Sequence, residues 1–199
     1  MNASRPVMIS RMLAVAALVA VVALAVCAGC DDESKSVYKA ANGLLWENPG
    51  TSKQYDYEAA IKYRNSLTLG GYKWRLPSIS ELRSLIRNCS ATLSTSKKCL
   101  VKDDCLLSTE ICNTELCWGC VENASPTGCY WDTNLSGHCS WYWSSSMVSD
   151  APETAWFVVY DDGSIRWDTI MVASYIRCVS GGSAPTDGGV PVDSGTVSD

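Results

Sequence analysis

The stretch AWFVVYDDGSIRWD at residues 155–168 decides the fold, because it predicts a β-hairpin. Two runs rich in aromatic and β-branched residues flank Asp161-Asp162-Gly163, and Gly163 tolerates the positive φ that a tight turn needs. Runs of the same kind at residues 141–146 and 174–179 predict two further strands. We therefore expect the end of the chain to form an antiparallel sheet.

A strand and a helix are expected near the start of the domain. Residues 43–47, GLLWE, predict a short strand that ends at an Asn-Pro-Gly turn. From residue 57 onward, apolar residues recur at helical spacing at Ala60, Ile61 and Leu67. Arg64 lies on the same stripe, so it must reach the surface along its stem or pair with a buried carboxylate.

A second helix is predicted by Ser78-Ile79-Ser80-Glu81, which has the form of a capping box. Its apolar side would consist of Ile79, Leu82, Leu85 and Ile86. Two helices followed by antiparallel strands predict an α+β fold.

The first 29 residues are expected to be a signal segment. Arg5 and Arg11 precede an uncharged apolar run at residues 12–26. The run has about 15 residues, whereas a membrane-spanning helix needs roughly 20, so a cleaved secretory signal is favoured over a permanent membrane anchor.

The residues after this run, Val26-Cys27-Ala28-Gly29-Cys30, resemble the lipobox of bacterial lipoproteins, in which small residues precede an invariant, acylated cysteine. The chain departs from that pattern at Cys27, where leucine is usual. The resemblance implies that Cys30 is lipidated and that the protein is anchored in the bacterial cell envelope, on the periplasmic or surface side. It leaves open whether the inner or the outer membrane holds the anchor.

Composition divides the rest of the chain into a polar tether at residues 30–36, a domain at residues 37–182 and a tail at residues 183–199. The tail is too poor in large apolar residues to order itself. Removing the signal segment with its two arginines from 16 Lys and Arg leaves 14, against 21 Asp and Glu, a net charge near −7. Such a surface does not favour nucleic acid or anionic lipid by bulk electrostatics.

Six ordered groups of residues carry a resemblance to a known family. They are Gly43-Leu44-Leu45-Trp46, Leu69-Gly70-Gly71-Tyr72, Trp74-Arg75-Leu76-Pro77 with Glu81-Leu82, Tyr142-Trp143-Ser144-Ser145, Ala155-Trp156 with Asp162-Gly163, and Tyr175-Ile176-Arg177-Cys178-Val179. Over about residues 43–182 they resemble the C-terminal domain family of the Legionella collagen-like adhesin. That family is similar to the C-type lectin and sulfatase-modifying-factor folds, which implies a compact domain whose N- and C-terminal strands pair. Its characterised members are surface or secreted binding and adhesion proteins.

The resemblance also implies a disulfide that this chain lacks. Many relatives have, at the position of Arg64, a cysteine that bonds the cysteine of the last strand. Because Arg64 replaces that partner here, Cys178 is expected to be an odd thiol.

The cysteine count agrees with this expectation, since eight further cysteines fall within an insertion at residues 88–140 that the plain family domain does not have. They are Cys89, Cys99, Cys105, Cys112, Cys117, Cys120, Cys129 and Cys139. In an exported protein these eight predict a disulfide framework, with 105 connectivities that the sequence does not distinguish. Zinc binding would need a second closely spaced cysteine pair beside Cys117-Trp118-Gly119-Cys120, and thioredoxin-like chemistry would need this motif at the start of a helix in a βαβ unit.

No catalytic residue is predicted. The chain has one histidine, His138, and neither a GxSxG nor an HExxH motif. An oxidase of the sulfatase-modifying type remains an alternative, and it would require a reduced, reactive Cys178.

The tryptophans suggest binding, because indole rings stack on sugars and anchor protein interfaces. On strand alternation Tyr142 and Trp143 face opposite ways, so Trp118 and Trp131, in the insertion, are the surface candidates. Asp132, with Asp161 and Asp162, could contribute to a lectin-type calcium site, although hairpin-turn residues explain the last two equally well. No other cofactor or metal is predicted.

The sequence therefore predicts a noncatalytic, lipid-anchored binding module with a lectin-like α+β fold. Its cysteine-rich insertion would recognise a glycan, a polymer or a protein outside the cytoplasm. Besides the oxidase, a second alternative is a purely structural envelope component, which would show no saturable binding.

Overall fold

The structure is a computed structural model that describes residues 35–107, 112, 114–121 and 127–181. The predicted signal segment, the lipidation site Cys30 and the predicted tail lie outside these residues. Within the described part of the chain, no helix combines the length and the apolar character that crossing a membrane requires.

A first antiparallel sheet joins the two ends of the domain. Its strands are β1 (Ser36–Lys39), β2 (Leu45–Asn48) and β6 (Val179–Ser180), in the order β1-β2-β6. The pairing of β2 with β6 confirms that the N- and C-terminal strands lie side by side. The strand β1 was not predicted, and its first residue, Ser36, belongs to the stretch predicted as tether. Its side chains alternate only weakly between buried and exposed, so they form no clear strand pattern.

Two helices follow as predicted. Helix α1 (Tyr57–Ser66) begins at Asp56, whose side chain accepts a hydrogen bond from the backbone N–H of Ala59. Helix α2 (Ile79–Ser84) begins with the expected capping box between Ser78 and Glu81. Arg75 donates to the Glu81 carboxylate through both terminal guanidinium nitrogens, which fixes the chain that enters α2.

A second antiparallel sheet contains β3 (Trp141–Met147), β4 (Thr154–Val159) and β5 (Ser164–Thr169), in that order. These three strands confirm the predicted hairpin and its neighbour. Every residue of the central strand β4 is buried, so this sheet is covered on both faces.

The prediction of a strand at residues 174–179 is mostly wrong, since only the last of these residues belongs to a strand, β6. Its backbone changes partner along its length: Ser174 bridges Tyr55, Tyr175 bridges Tyr142, and Val179 bridges Arg75. Because no single neighbour runs beside the whole segment, the alternating pattern produces isolated bridges instead of a continuous strand. The segment thereby connects the two sheets and the loop before α2.

Two apolar clusters lie on opposite faces of the second sheet. Tyr142 belongs to one cluster and Trp143 to the other, and both side chains are buried, which confirms their opposite orientation. The described residues thus form an α+β domain with two small sheets, two short helices and a long insertion between α2 and β3.

Candidate functional site

Four disulfide bonds fix the insertion. The pairs are Cys89–Cys120, Cys99–Cys117, Cys105–Cys112 and Cys129–Cys139. All eight cysteines predicted to pair among themselves do so, and Cys178 is a free, buried thiol. The two cysteines of the CxxC motif bond to different partners, so in this structure the motif cross-links the insertion and does not form a disulfide of its own.

A buried arginine organises the same insertion. Arg83, on α2, donates hydrogen bonds to four backbone carbonyl groups of the insertion, those of Thr92, Leu93, Cys99 and Val101. Burial lowers the pKa of Arg83. Sequence reasoning missed this residue, because the pattern of α2 gives no indication that one of its charged side chains points inward.

The β4–β5 turn docks against the insertion. Gly119 approaches it so closely that a Cβ atom there would lie 2.2 Å from the carbonyl oxygen of Asp162. The backbone N–H of Cys120 donates to that carbonyl at 2.6 Å, and the Thr92 hydroxyl donates to the carbonyl of Gly163, also at 2.6 Å. The turn predicted from Asp161-Asp162-Gly163 therefore also positions the insertion.

Trp118 lies at this junction and is exposed, as predicted, with 68% of its surface accessible. The guanidinium of Arg166, on β5, lies over the indole ring at 5.5 Å from its centroid. Arg166 is in turn held by Asp162 at 2.9 Å and by the Ser164 hydroxyl at 3.0 Å. The indole of Trp118 is thus positioned by a cation–π contact with an arginine that is itself fixed.

A small groove, named here the Trp118 groove, lies beside this ring. Its lining residues are Thr114, Cys117, Trp118, Ile165, Arg166 and Trp167, and its volume is about 190 Å³. Trp167 is 41% exposed and supplies a second indole from β5. Sequence reasoning counted Trp167 among the tryptophans that suggest binding but did not choose it as a surface candidate, and it missed Arg166. The spacing of Asp162 and Arg166 across a turn is a signal that could have found their ion pair.

The prediction that Trp131 lies on the surface is wrong. Trp131 is 1% exposed, and its ring packs against Tyr142 and Tyr160. The guanidinium of Arg177 lies 4.9 Å from its centroid. The preceding residue explains this burial, because the Tyr130 N–H donates to the carbonyl of Tyr160 at 2.8 Å and draws the segment onto the sheet.

Asp132 stabilises a turn through its side chain. Its carboxylate accepts hydrogen bonds from the backbone N–H and the side chain of Asn134, at 2.9 and 2.8 Å. The backbone hydrogen bond from Asn134 is the largest cause that lowers the pKa of Asp132, and the Tyr38 hydroxyl adds to it. These contacts are those of an Asx turn and do not mark Asp132 as a ligand-binding residue.

Asp161 and Asp162, the other two carboxylates considered for a calcium site, lie in the β4–β5 turn. Asp162 binds Arg166 and also accepts from the Ser164 N–H at 2.7 Å. Burial, with the charge of Asp162, raises the pKa of Asp161. Among the described residues, no group of three acidic, histidine or cysteine side chains is placed to hold a metal ion, so Asp132, Asp161 and Asp162 do not come together as one.

Cys178 and His138, the two residues on which catalysis would depend, have different surroundings. His138 is exposed and stacks on Tyr175 with ring centroids 4.4 Å apart. Burial raises the pKa of the Cys178 thiol well above its usual value, and the Glu47 carboxylate raises it further, while Lys35 and Arg64 act in the opposite direction. The thiol is therefore protonated at neutral pH.

Glu47 is the buried carboxylate of this region. It is fully buried, pairs with Lys35, and accepts hydrogen bonds from the Tyr63 hydroxyl and from the Cys178 N–H. Burial, with the charge of Glu47, raises the pKa of Tyr63. Arg64 is half-buried, and its charge acts on the same thiol.

The fold and the disulfide framework define a class, an α+β domain with a cysteine-stapled insertion that carries an exposed aromatic groove. The chain belongs to the Lcl C-terminal domain family, whose model matches residues 35–180. This match confirms the family predicted from the sequence motifs and makes the domain an adhesin-related module. Neither the curated proteins nor the solved structures contain a match to the chain.

Proposed function

We propose that this protein is a noncatalytic binding module of the bacterial cell envelope, anchored by a lipid on Cys30, and that the Trp118 groove is its contact surface. The observation that carries the proposal is the exposed indole of Trp118, which a disulfide on each side and Arg166 hold in place. An exposed aromatic ring that is already fixed loses little entropy when a ligand covers it. The family supports the proposal, since it is adhesin-related.

A C-type-lectin-like arrangement is part of the proposal. The pairing of β2 with β6 and a long, irregular insertion on one sheet are the features that support it.

The protonated, buried Cys178 supports a noncatalytic role, because the thiolate is the nucleophilic form of cysteine. An oxidase would need this thiol to be reactive. Alkylation of the native protein, followed by mass spectrometry, tests the point, and rapid labelling of Cys178 at neutral pH would contradict the proposal.

The binding function is tested with the full chain on surfaces coated with polysaccharides, extracellular polymers or proteins. We expect saturable binding to at least one surface, and we expect Trp118→Ala to weaken it. Tyr72→Ala is the matched control, because Tyr72 is a 46% exposed aromatic residue that packs edge-on against Trp74 and does not line the groove. Absence of saturable binding to every surface would overturn the proposal and favour a structural component.

The anchor is tested on protein extracted from membranes. An N-terminal peptide that begins with an acylated Cys30 is the expected result. An unmodified Met1 or Asp31 N-terminus would overturn the lipid-anchored part of the proposal.

A further inference from the structure

We infer that the Trp118 groove takes one ring of a neutral saccharide. The inference rests on the proposed function, because it names the ligand class of the same groove.

The groove is small and has two aromatic walls. Its volume of about 190 Å³ is below the 300–1,000 Å³ typical of pockets for drug-sized ligands, so it has room for a single ring. Trp118 and Trp167 are both exposed, and they offer flat apolar faces. The C–H face of a sugar ring packs on such indole faces.

The rim of the groove carries both hydrogen-bond donors and hydrogen-bond acceptors. Arg166 and Asp162 form an ion pair whose side chains are 42% and 35% exposed, so both retain atoms that a ligand can reach. Among the lining residues, Arg166 provides donors and Thr114 provides a hydroxyl that can donate and accept, while Asp162, which pairs with Arg166, provides acceptors next to the groove. A sugar ring can satisfy these groups with its own hydroxyls, whereas an apolar peptide side chain would cover them without hydrogen bonds.

The charge around the groove disfavours a polyanion as the ligand. Arg166 is the cation among the lining residues, and its guanidinium is already neutralised by Asp162 at 2.9 Å. Asp161 adds a second carboxylate beside it, and the chain carries a net charge of −5. A sulfated or carboxylated polymer would meet repulsion there, while an uncharged ring would not.

The experiment titrates the full chain with cellotriose, mannotriose, N-acetylchitotriose and a heparin hexasaccharide, at low and at high salt. Calorimetry and tryptophan fluorescence measure binding. We expect at least one neutral trisaccharide to bind with an affinity that salt does not change. Trp118→Ala and Trp167→Ala should each weaken this binding by about tenfold or more, as at hot-spot tryptophans, while Tyr72→Ala leaves it unchanged.

Trp118→Phe keeps the inference testable if Trp118→Ala disturbs the insertion, because the smaller ring retains stacking and should bind with intermediate affinity. Binding of the heparin fragment alone, neutral binding that neither tryptophan variant changes, or no binding of any saccharide would each overturn the inference. In the last case, binding to a protein-coated surface that Trp118→Ala still weakens would leave the proposed function standing. If the chain bound neither a saccharide nor a protein-coated surface, the inference and the proposed function would both be overturned.

Discussion

The Nη1 atom of Arg83 lies 2.8 Å from the carbonyl oxygen of Val101, although 18 residues separate them. Three more carbonyl groups of the insertion accept from the same guanidinium. Backbone carbonyls are also what calcium binds when it orders a long loop. In this domain a side-chain cation on α2 collects the carbonyl groups of residues 92–101, and it makes the conformation of this part of the insertion depend on α2.

We expect Arg83→Met to destabilise the protein by about 3 kcal/mol or more, because it leaves buried carbonyl groups without donors. Arg83→Lys should recover only part of this loss, since an ammonium group cannot reproduce the planar set of donors. Urea unfolding of the oxidised protein measures both changes. Arg87→Lys is the control, because Arg87 donates to carbonyls of its own segment, Ser84 and Ile86. Equal stability of Arg83→Met and wild type would contradict the assignment.

The contrast between Ser78 and Arg83 shows how far the sequence predicts this fold. The capping box at Ser78 and the turn at Gly163 depend on residues adjacent in sequence, and both were predicted correctly. The contacts of Arg83 and the burial of Trp131 depend on where the insertion folds back, and no local pattern encodes that path. For the same reason only part of the groove was predicted. The exposure of Trp118 follows from its position in a loop, whereas its partner Arg166 comes from a strand more than forty residues later.

A cysteine at position 64 tests the disulfide that the family resemblance implies for this place in the fold. Because the family resemblance implies a cysteine at position 64 that bonds the cysteine of the last strand, we expect Arg64→Cys to form a fifth disulfide, with Cys178, beside the four that the structure has. Such a bond should stabilise the domain by about 2 to 4 kcal/mol. The net gain is smaller by the stability that the Arg64 side chain contributes to the wild type. Intact mass and thiol counting measure it. Asn65→Cys, at the adjacent exposed position, should leave two free thiols. Two free thiols in the Arg64→Cys protein would contradict the prediction.

The raised pKa of Cys178 predicts a loss of stability in alkaline solution. Because the folded-state pKa lies above the unfolded value, stability is full below the unfolded pKa of about 8.5 and falls as pH rises above it. The slope should approach about 1.4 kcal/mol per pH unit, for one proton. Urea unfolding between about pH 8 and pH 9 measures it, below the range where tyrosines, with an ordinary pKa of about 10, ionise appreciably. Cys178→Ala should be less stable at neutral pH but lack this slope, and an unchanged slope in that variant would contradict the prediction.

Gly119 tests whether the turn of the β4–β5 hairpin positions the insertion. Its φ is +64°, and a Cβ atom would lie 2.2 Å from the carbonyl oxygen of Asp162, so Gly119→Ala introduces both a strained backbone and a clash with backbone atoms. Gly128 has a φ of +81° and nothing within 4 Å of the same atom, so Gly128→Ala introduces the strain alone. The strain costs about 1 to 2 kcal/mol in each variant.

We therefore expect Gly119→Ala to be the less stable variant in urea unfolding, and the difference between the two measures the clash. The clash also separates Cys120 from the Asp162 carbonyl, so hydrogen exchange at the Cys120 amide should become faster in Gly119→Ala and remain slow in Gly128→Ala. If the two variants lose equal stability and the Cys120 amide stays protected in both, the insertion does not depend on this turn. In that case the disulfides and Arg83 alone hold Trp118 beside Arg166.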